Sequence, residues 1–329
     1  MNKKLSSADA DHQFSFRSLV EKVEQVDNRA VFHYDKHYIR GKTVQSEIFD
    51  GIWIIYHDLT LQTPEVFPME ETGFIRMNYC ISGRCEMDYK NHKVFYIGSG
   101  DFIAALLGDK HHKHIFPLGN YEGISIVTTE TKLDGFLKTI FMDTQITSSV
   151  LIQKMKQCGK FMLLSNRYKI KEIMSKMIIL NDTFWKEKTV LKFAELVILL
   201  IDDDMEAMES KEKYFERHLT DKVKQIKKEV TENMEEHLTI KEVAEKHHIS
   251  SRAFSECFKE IYGKTYYAFI KEFRIKKAAD MLRSTNNSVT EIAITVGYQN
   301  ASKFSKAFSD IVGVTPICYR KNNSSAALE

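Results

Sequence analysis

The stretch SVTEIAITVGYQNASKFSKAFSDIVGVTP, residues 288–316, decides the fold of the C-terminal part of the chain. Ser288-x-x-Glu291 has the spacing of a capping box, in which hydroxyl and carboxylate each satisfy a free amide, so a helix starts there. Ile292 and Ala293 give that helix an apolar face, and the small Ala293 lets a second helix cross closely. Gly297 suits a turn residue in the left-handed region. Asn300 suits the N-cap of a second helix. On that helix Phe304 and Phe308 stand at i, i+4, and Gly313 supplies its C-terminal stop. The stretch reads as helix, tight turn, helix.

The pattern occurs twice. Glu242-Val243-Ala244 precedes Glu291-Ile292-Ala293 by 49 positions, whereas Phe254, Phe258, Gly263 and Thr265 precede Phe304, Phe308, Gly313 and Thr315 by 50. The second copy therefore carries one extra residue in its turn. Thr239-x-x-Glu242 is the first copy's capping box, and Ser250 is its second N-cap. His248 stands where the other copy has Gly297, and His enters left-handed backbone more readily than most residues. Between the copies, Thr265 to Arg283 reads as one amphipathic helix with Phe269, Phe273, Ala278, Met281 and Leu282 inward. At 1.5 Å per residue this strut is about 28 Å long.

Charge follows the same division. From Leu219 to Lys321 there are 18 Lys and Arg against 13 Asp and Glu, while the rest of the chain is slightly acidic. A basic part on an acidic body is the asymmetry of a nucleic-acid reader. The whole chain is 43% hydrophobic and 28% charged, with a net charge of +2, as in an ordinary globular protein of about two domains. Its longest apolar run, Leu196 to Ile201, falls far short of the roughly 20 residues a membrane span needs. The opening Met-Asn-Lys-Lys continues in polar residues, which is no secretory signal. Cys80, Cys85, Cys158, Cys257 and Cys318 are odd in number and lack metal-ligand spacing, which suits a reducing cytoplasm.

These residues carry a resemblance. Leu238 to Arg320, about a quarter of the chain, resembles the DNA-binding domain of the AraC/XylS family of bacterial regulators. It is densest from Ser288 through Gly297-Tyr298 and Phe304-x-x-x-Phe308 to Gly313-x-Thr315-Pro316-x-x-Tyr319-Arg320. The resemblance implies that the second helix of each unit enters a major groove of double-stranded DNA. It places Arg252, Ser255 and Glu256 of the first reading helix, and Ala301, Lys303 and Lys306 of the second, against bases. Arg and Lys suit guanine O6/N7, Glu a cytosine amine, and Ala a thymine methyl. Helix N-termini near Ser250 and Thr290, with Lys259 as a candidate cation, are expected to hold phosphates, and Ser251, Asn300 and Ser302 complete the expected DNA-binding set. Glu256 and Asp310 are acidic where family members tend to be polar or basic, which weakens phosphate attraction.

In the N-terminal half short β-rich runs alternate with turn signals. Gly51–Leu59, Phe74–Ser82, Arg84–Tyr89, Lys93–Gly98, Asp101–Leu107 and Tyr121–Thr128 read as strands, with turns expected at Ser82-Gly83, Lys90-Asn91, Gly98 to Asp101 and Leu118 to Asn120. Gly100-Asp101-Phe102 after a hairpin resembles the cupin-type barrel that many AraC-like regulators carry as a sensor. That implies a small-molecule effector, with Trp53, Tyr56, Arg76, Tyr79, Phe102, His112 and His114 as candidate contacts. Ordinary core packing is the competing reading for the aromatics. His111, His112 and His114 form the one metal-like cluster, but no Glu follows at close spacing, so neither metal nor cofactor is assigned.

Beyond Thr131 helices resume. Ile170, Ile173, Met174, Met177 and Ile178 form a helical stripe, and Val190 to Ile201 is apolar nearly all round. The neighbour of such a helix is either the barrel or the same helix of a second subunit, and Leu196, Leu199 and Leu200 are the residues expected at the subunit interface. The reading is an α+β chain: a lead segment over 1–40, a cupin-like sensor β-barrel over 41–130 and a helical dimerisation region over 131–208. A linker over 209–218 leads to an all-α domain over 219–321, two helix-turn-helix units joined by a long helix. A disordered tail follows over 322–329, ending in what reads as a cloning remnant. The expected function is a homodimeric, effector-controlled transcription regulator, with RNA polymerase as a further partner if it activates. Two alternatives stay open: a regulator without a small-molecule ligand, and a metal-dependent cupin enzyme fused to a DNA-binding domain. No nucleophile elbow, phosphate loop or dinucleotide fingerprint supports an enzyme.

Overall fold

A computed structural model describes residues 19–62, 67–69, 73–89, 92–107, 112–142, 145–158, 161–165, 167–177, 183–202, 214–236 and 238–325. His111, Ile178, the turn at Lys90-Asn91, residues 209–213 of the expected linker and residues 326–329 lie outside them, as does the side chain of His112. The chain divides into two units, Met1–Tyr214 and Phe215–Glu329.

The first unit is built on antiparallel sheet: β1 (Val20–Val26), β2 (Arg29–Tyr34), β3 (Ile39–Phe49), β4 (Ile52–Leu61), β5 (Phe67–Met69), β6 (Phe74–Tyr89), β7 (Lys93–Gly98), β8 (Asp101–Leu106), β9 (His112–Ile115), β10 (Asn120–Thr129) and β11 (Phe161–Ser165). The strand order is β1-β2-β3-β4-β10-β6-β7, with β8 and β9 also on β6, β11 on β8 and β5 on β9. Three elements differ from the expectation. The segment read as a lead contains β1 and β2, which extend the sheet from β3. Residues 161–165, expected helical, pair with β8. The turn expected at Ser82-Gly83 is the middle of one 16-residue strand. Gly83 sits at φ +89°, and a Cβ there would lie 2.2 Å from the Asn120 carbonyl oxygen. Its role is close passage beside β10, not reversal of the chain.

The period-2 alternation of these strands gives the sheet two apolar faces. On one, Ile54, Ile75, Met77, Tyr79, Phe102 and Ile126 are buried against helices α1 (Glu130–Phe141), α2 (Ser148–Gln157), α3 (Tyr168–Lys176) and α4 (Trp185–Asp202). The α3 stripe Ile170, Ile173, Met174 with Met177 joins this core as its periodicity predicts. On the other face Leu59, Cys80, Cys85, Phe95, Ile103, Phe116 and Tyr121 form a separate cluster.

After a two-residue strand, Phe215–Glu216, the second unit is helical: α5 (Arg217–Glu232), α6 (Ile240–Lys246), α7 (Ser251–Tyr262), α8 (Tyr266–Ser284), α9 (Val289–Thr295), α10 (Ala301–Val312) and α11 (Pro316–Ser325). Both capping boxes form: Thr239 with Glu242 before α6, and Ser288 with Glu291 before α9. Gly263 and Gly313 end α7 and α10 in the left-handed conformation. The 19-residue α8 carries both units. At its start Tyr266 meets Phe254 and Phe258 edge-on, and towards its end Ile275, Ala278 and Leu282 pack with Ile292, Phe304 and Phe308. Phe269 and Phe273, expected inward, are only half-buried, and the buried positions fall on Tyr266, Ile270, Arg274 and Ile275.

Candidate nucleic-acid interface

Each helix-turn-helix pair leaves the start of its second helix open. On α7 the N-cap Ser250 accepts the Ala253 amide at 3.1 Å, and Ser250, Ser251, Arg252 and Lys259 are exposed. Ser255 and Glu256 are half-buried, and the Ser255 hydroxyl donates back to the Ser251 carbonyl at 2.7 Å. Arg252 Nε donates to Glu256 Oε1 at 3.1 Å, a one-turn pair that holds the guanidinium along the helix surface. On α10 the Asn300 side chain accepts the Ser302 and Lys303 amides at 2.8 and 3.1 Å. Asn300, Ser302, Lys303 and Lys306 are exposed, and Ala301 is half-buried. Thr290, in the first turn of α9, is exposed as well.

The two turns solve one steric problem differently. His248 takes φ +53° and Gly297 φ +83°. At Gly297 space is also limiting, because a Cβ would lie 2.4 Å from the Met234 carbonyl oxygen and 2.9 Å from Arg274 Cζ. That contact reveals a residue the sequence reading passed over. Arg274 is buried in α8 and donates through Nη2 to the carbonyls of Met234 (2.7 Å) and Glu236 (3.1 Å), and through Nη1 to that of Gly297 (3.4 Å). One guanidinium thus ties the segment before the first unit to the turn of the second. The available signal was a cation in the apolar row Ile270, Arg274, Ala278 of a helix.

A family model described as a helix-turn-helix domain matches residues 243–322. The uncharacterized HTH-type transcriptional regulator YfiF of Bacillus subtilis (strain 168) is 34% identical over 96 residues, 29% of this chain and 30% of that protein. The melibiose operon regulatory protein of Escherichia coli (strain K12) is 31% identical over 105 residues, 32% of this chain and 35% of that protein. The Transposon Tn10 TetD protein of Escherichia coli is 32% identical over 93 residues, 28% of this chain and 67% of that protein. Through its C-terminal domain the chain belongs to the AraC/XylS family. It spans about a third of the length of the first two relatives.

Within this AraC/XylS-type DNA-binding domain, the two acidic departures have partners. Glu256 holds Arg252, and Asp310 stands 3.9 Å from Lys271 of α8. Each acid therefore meets a cation of its own domain, which offsets part of its repulsion of phosphate.

The residues named for an effector do not gather in one place. Tyr79 and Phe102 are buried under the helices, and Tyr56 packs against that same core with its hydroxyl donating to Glu122 at 2.7 Å. Alternation puts all three on the helix-covered face, where they pack in the core of their own unit. Arg76 and His114 instead line a cavity of about 50 Å³ on the opposite face, together with His57, Asn78, Tyr121 and Ser125. Trp53 shares a strand face with His57 but lies outside that lining. Leu196 and Leu200 are corrected: they are 0% and 1% exposed in the core of their own unit, and so are closed to a partner. Leu199 is half-buried, while Leu191 and Ile198 form the open side of α4.

Proposed function

We propose that the protein is a sequence-specific transcription regulator that binds double-stranded DNA as a homodimer. A small molecule held by the N-terminal sheet, read as a cupin-like sensor, controls it. The observation that carries DNA reading is the duplication of a capped helix pair with open second helices, within a domain of AraC/XylS type. Arg252 and Glu256 of α7, and Ala301, Lys303 and Lys306 of α10, are the proposed base-facing set. Ser250, Ser251, Ser255, Lys259, Thr290, Asn300 and Ser302 surround it. RNA polymerase becomes a partner if the protein activates. Selection of sites from random duplex DNA by the full-length protein tests this reading. The expected product is a bipartite site whose halves lie about 10 base pairs apart. Scrambled DNA is expected to bind at least about 10³-fold more weakly. A flat preference would overturn it.

For the homodimer the supporting feature is the outer side of α4 with the turn before it, where Phe184, Leu191 and Ile198 recur every seven residues and are 62%, 64% and 38% exposed. Seven-residue spacing is the repeat of a helix-to-helix seam. Light scattering should find the double variant Leu191→Asp/Ile198→Asp monomeric and folded. Leu196→Asp should unfold the unit instead, because it buries a charge.

A further inference from the structure

Backbone groups of Met234, Glu236, Leu238 and Ile240, ahead of α6 and at its start, are held along the first half of α8. The Tyr266 hydroxyl donates to the Leu238 carbonyl at 3.2 Å, and the Tyr267 hydroxyl accepts the Ile240 amide at 3.3 Å. Arg274 Nη2 donates to the Met234 and Glu236 carbonyls at 2.7 and 3.1 Å. Arg274 also reaches the second unit, where its Nη1 donates to the Gly297 carbonyl at 3.4 Å. The turn lies directly on the guanidinium: a Cβ on Gly297 would stand 2.9 Å from both Cζ and Nη2, and 2.4 Å from the Met234 carbonyl oxygen.

Both contacts sit next to helix starts. Gly297 stands three residues before Asn300, the N-cap of α10, and Glu236 three residues before Thr239, the N-cap of α6. The strip that leads into the first unit and the turn that aims the second reading helix thus meet on one side chain, 8% exposed. Apolar packing on α8 keeps the units apart instead. Tyr266 meets Phe254 and Phe258 at one end, and Ile275, Ala278 and Leu282 pack with the second unit towards the other. Apolar contacts are non-directional, so a unit can pivot on them at little cost. Hydrogen bonds from a planar guanidinium are directional, and breaking one leaves a buried carbonyl without its donor.

We propose that Arg274 is a positioning residue for DNA reading: it sets the orientation of α7 relative to α10, and with it the half-site spacing the domain accepts. The proposal rests on the bipartite reading above. One base pair inserted between half-sites moves the far half by about 3.4 Å and turns it by about 35° around the duplex. A clamped pair of reading helices cannot follow that change without leaving one half-site. A pair that pivots can.

The test uses the full-length protein and the operator selected from random duplex DNA, together with versions having one base pair inserted or removed between the halves. Wild type should lose at least about 30-fold in affinity on either altered spacing, as one half-site disengages. Arg274→Lys keeps the charge but replaces the rigid fork with a single flexible ammonium. Its loss on altered spacing should shrink to about threefold or less. The slope of log affinity against log salt should stay the same, since a buried group releases no counterion from DNA. A general weakening of the domain would lower affinity for all three DNAs by one factor, so the ratio between spacings separates positioning from stabilisation. Gly297→Ala wedges the same surfaces apart from the other side and should relax the ratio likewise.

An unchanged ratio in either variant, shown to be folded by circular dichroism, overturns the proposal. So does a wild type that accepts all three spacings within about threefold. If neither variant folds, the contact is a requirement of the fold and the positioning role falls. Failure to select any operator strikes the DNA-reading function and this proposal with it, whereas an operator read with an unchanged ratio strikes the role of Arg274 alone.

Discussion

The two helix-turn-helix units share a plan and differ in how they meet its demands. In the first, a His takes the left-handed turn position, and the reading helix neutralises its own arginine with Glu256. In the second, glycine takes that position against a close carbonyl, and among the described residues Lys303 and Lys306 stand in no ion pair. The first unit therefore carries a restrained, directional cation and a strained turn. The second carries two loose cations and a turn fixed by space. A pre-aimed guanidinium discriminates between bases, whereas loose ammonium groups mainly attract phosphate. The expectation that follows is selectivity from the first unit and affinity from the second.

The largest effects should come from the contact that joins them. Gly297→Ala sets a methyl group 2.4 Å from the Met234 carbonyl oxygen in left-handed backbone, and should cost about 3 kcal/mol of stability. Arg274→Met should cost about 2–3 kcal/mol, because the Met234, Glu236 and Gly297 carbonyls lose their donor. Urea unfolding followed by circular dichroism measures both. A Gly297→Ala protein as stable as wild type would remove the spatial half of the contrast between the turns.

At the reading surface, Arg252→Ala should cost about 1–3 kcal/mol on the selected operator and relax preference at one base. Glu256→Ala should release Arg252, strengthening binding to scrambled DNA and narrowing the gap to the operator. Anisotropy titrations on the two DNAs read both outcomes. Loss of affinity on both DNAs alike from Arg252→Ala would place the selectivity elsewhere.

What could be read from the sequence tracks how local the physics is. Capping boxes and left-handed glycines involve residues within four positions of one another, so Thr239, Glu242, Ser288, Glu291, Gly263 and Gly313 announce themselves. Arg274 does not, because its partners lie 40, 38 and 23 residues away. The sheet shows the same limit. Alternation puts Ile75, Met77 and Tyr79 on one side and Arg76 and Asn78 on the other, yet only the packing of α1 to α4 tells which side is covered. Glycine punctuates chains, so Gly83 reads as a turn, whereas the demand on it comes from β10. An all-round apolar helix has two candidate neighbours, a partner or its own unit, and Leu196 and Leu200 lie in the core of their own unit.

A smaller effect tests the strained turn. His248→Gly removes a side chain from φ +53° and should raise stability by up to about 1 kcal/mol, less the entropy glycine loses on folding. The measurement is again a urea midpoint. A destabilised His248→Gly protein would mean that the imidazole contributes contacts worth more than the strain.

The smallest effect, and the sharpest test of the division of labour, belongs to Lys306. It lies one turn beyond Lys303 on α10, exposed and outside any ion pair among the described residues. An ammonium that meets phosphate adds the same free energy on every sequence and releases about one counterion. Lys306→Ala should therefore weaken operator and scrambled DNA by the same factor, and reduce the slope of log affinity against log salt by about one. Lys303, nearer the Asn300 cap and proposed to face bases, should weaken the operator more than the scrambled DNA when changed to Ala. Titrations of both variants at several salt concentrations separate the two roles. If Lys306→Ala changes the ratio between operator and scrambled DNA while leaving the salt slope intact, the second unit reads sequence as the first does. The contrast between the units would then reduce to their turns.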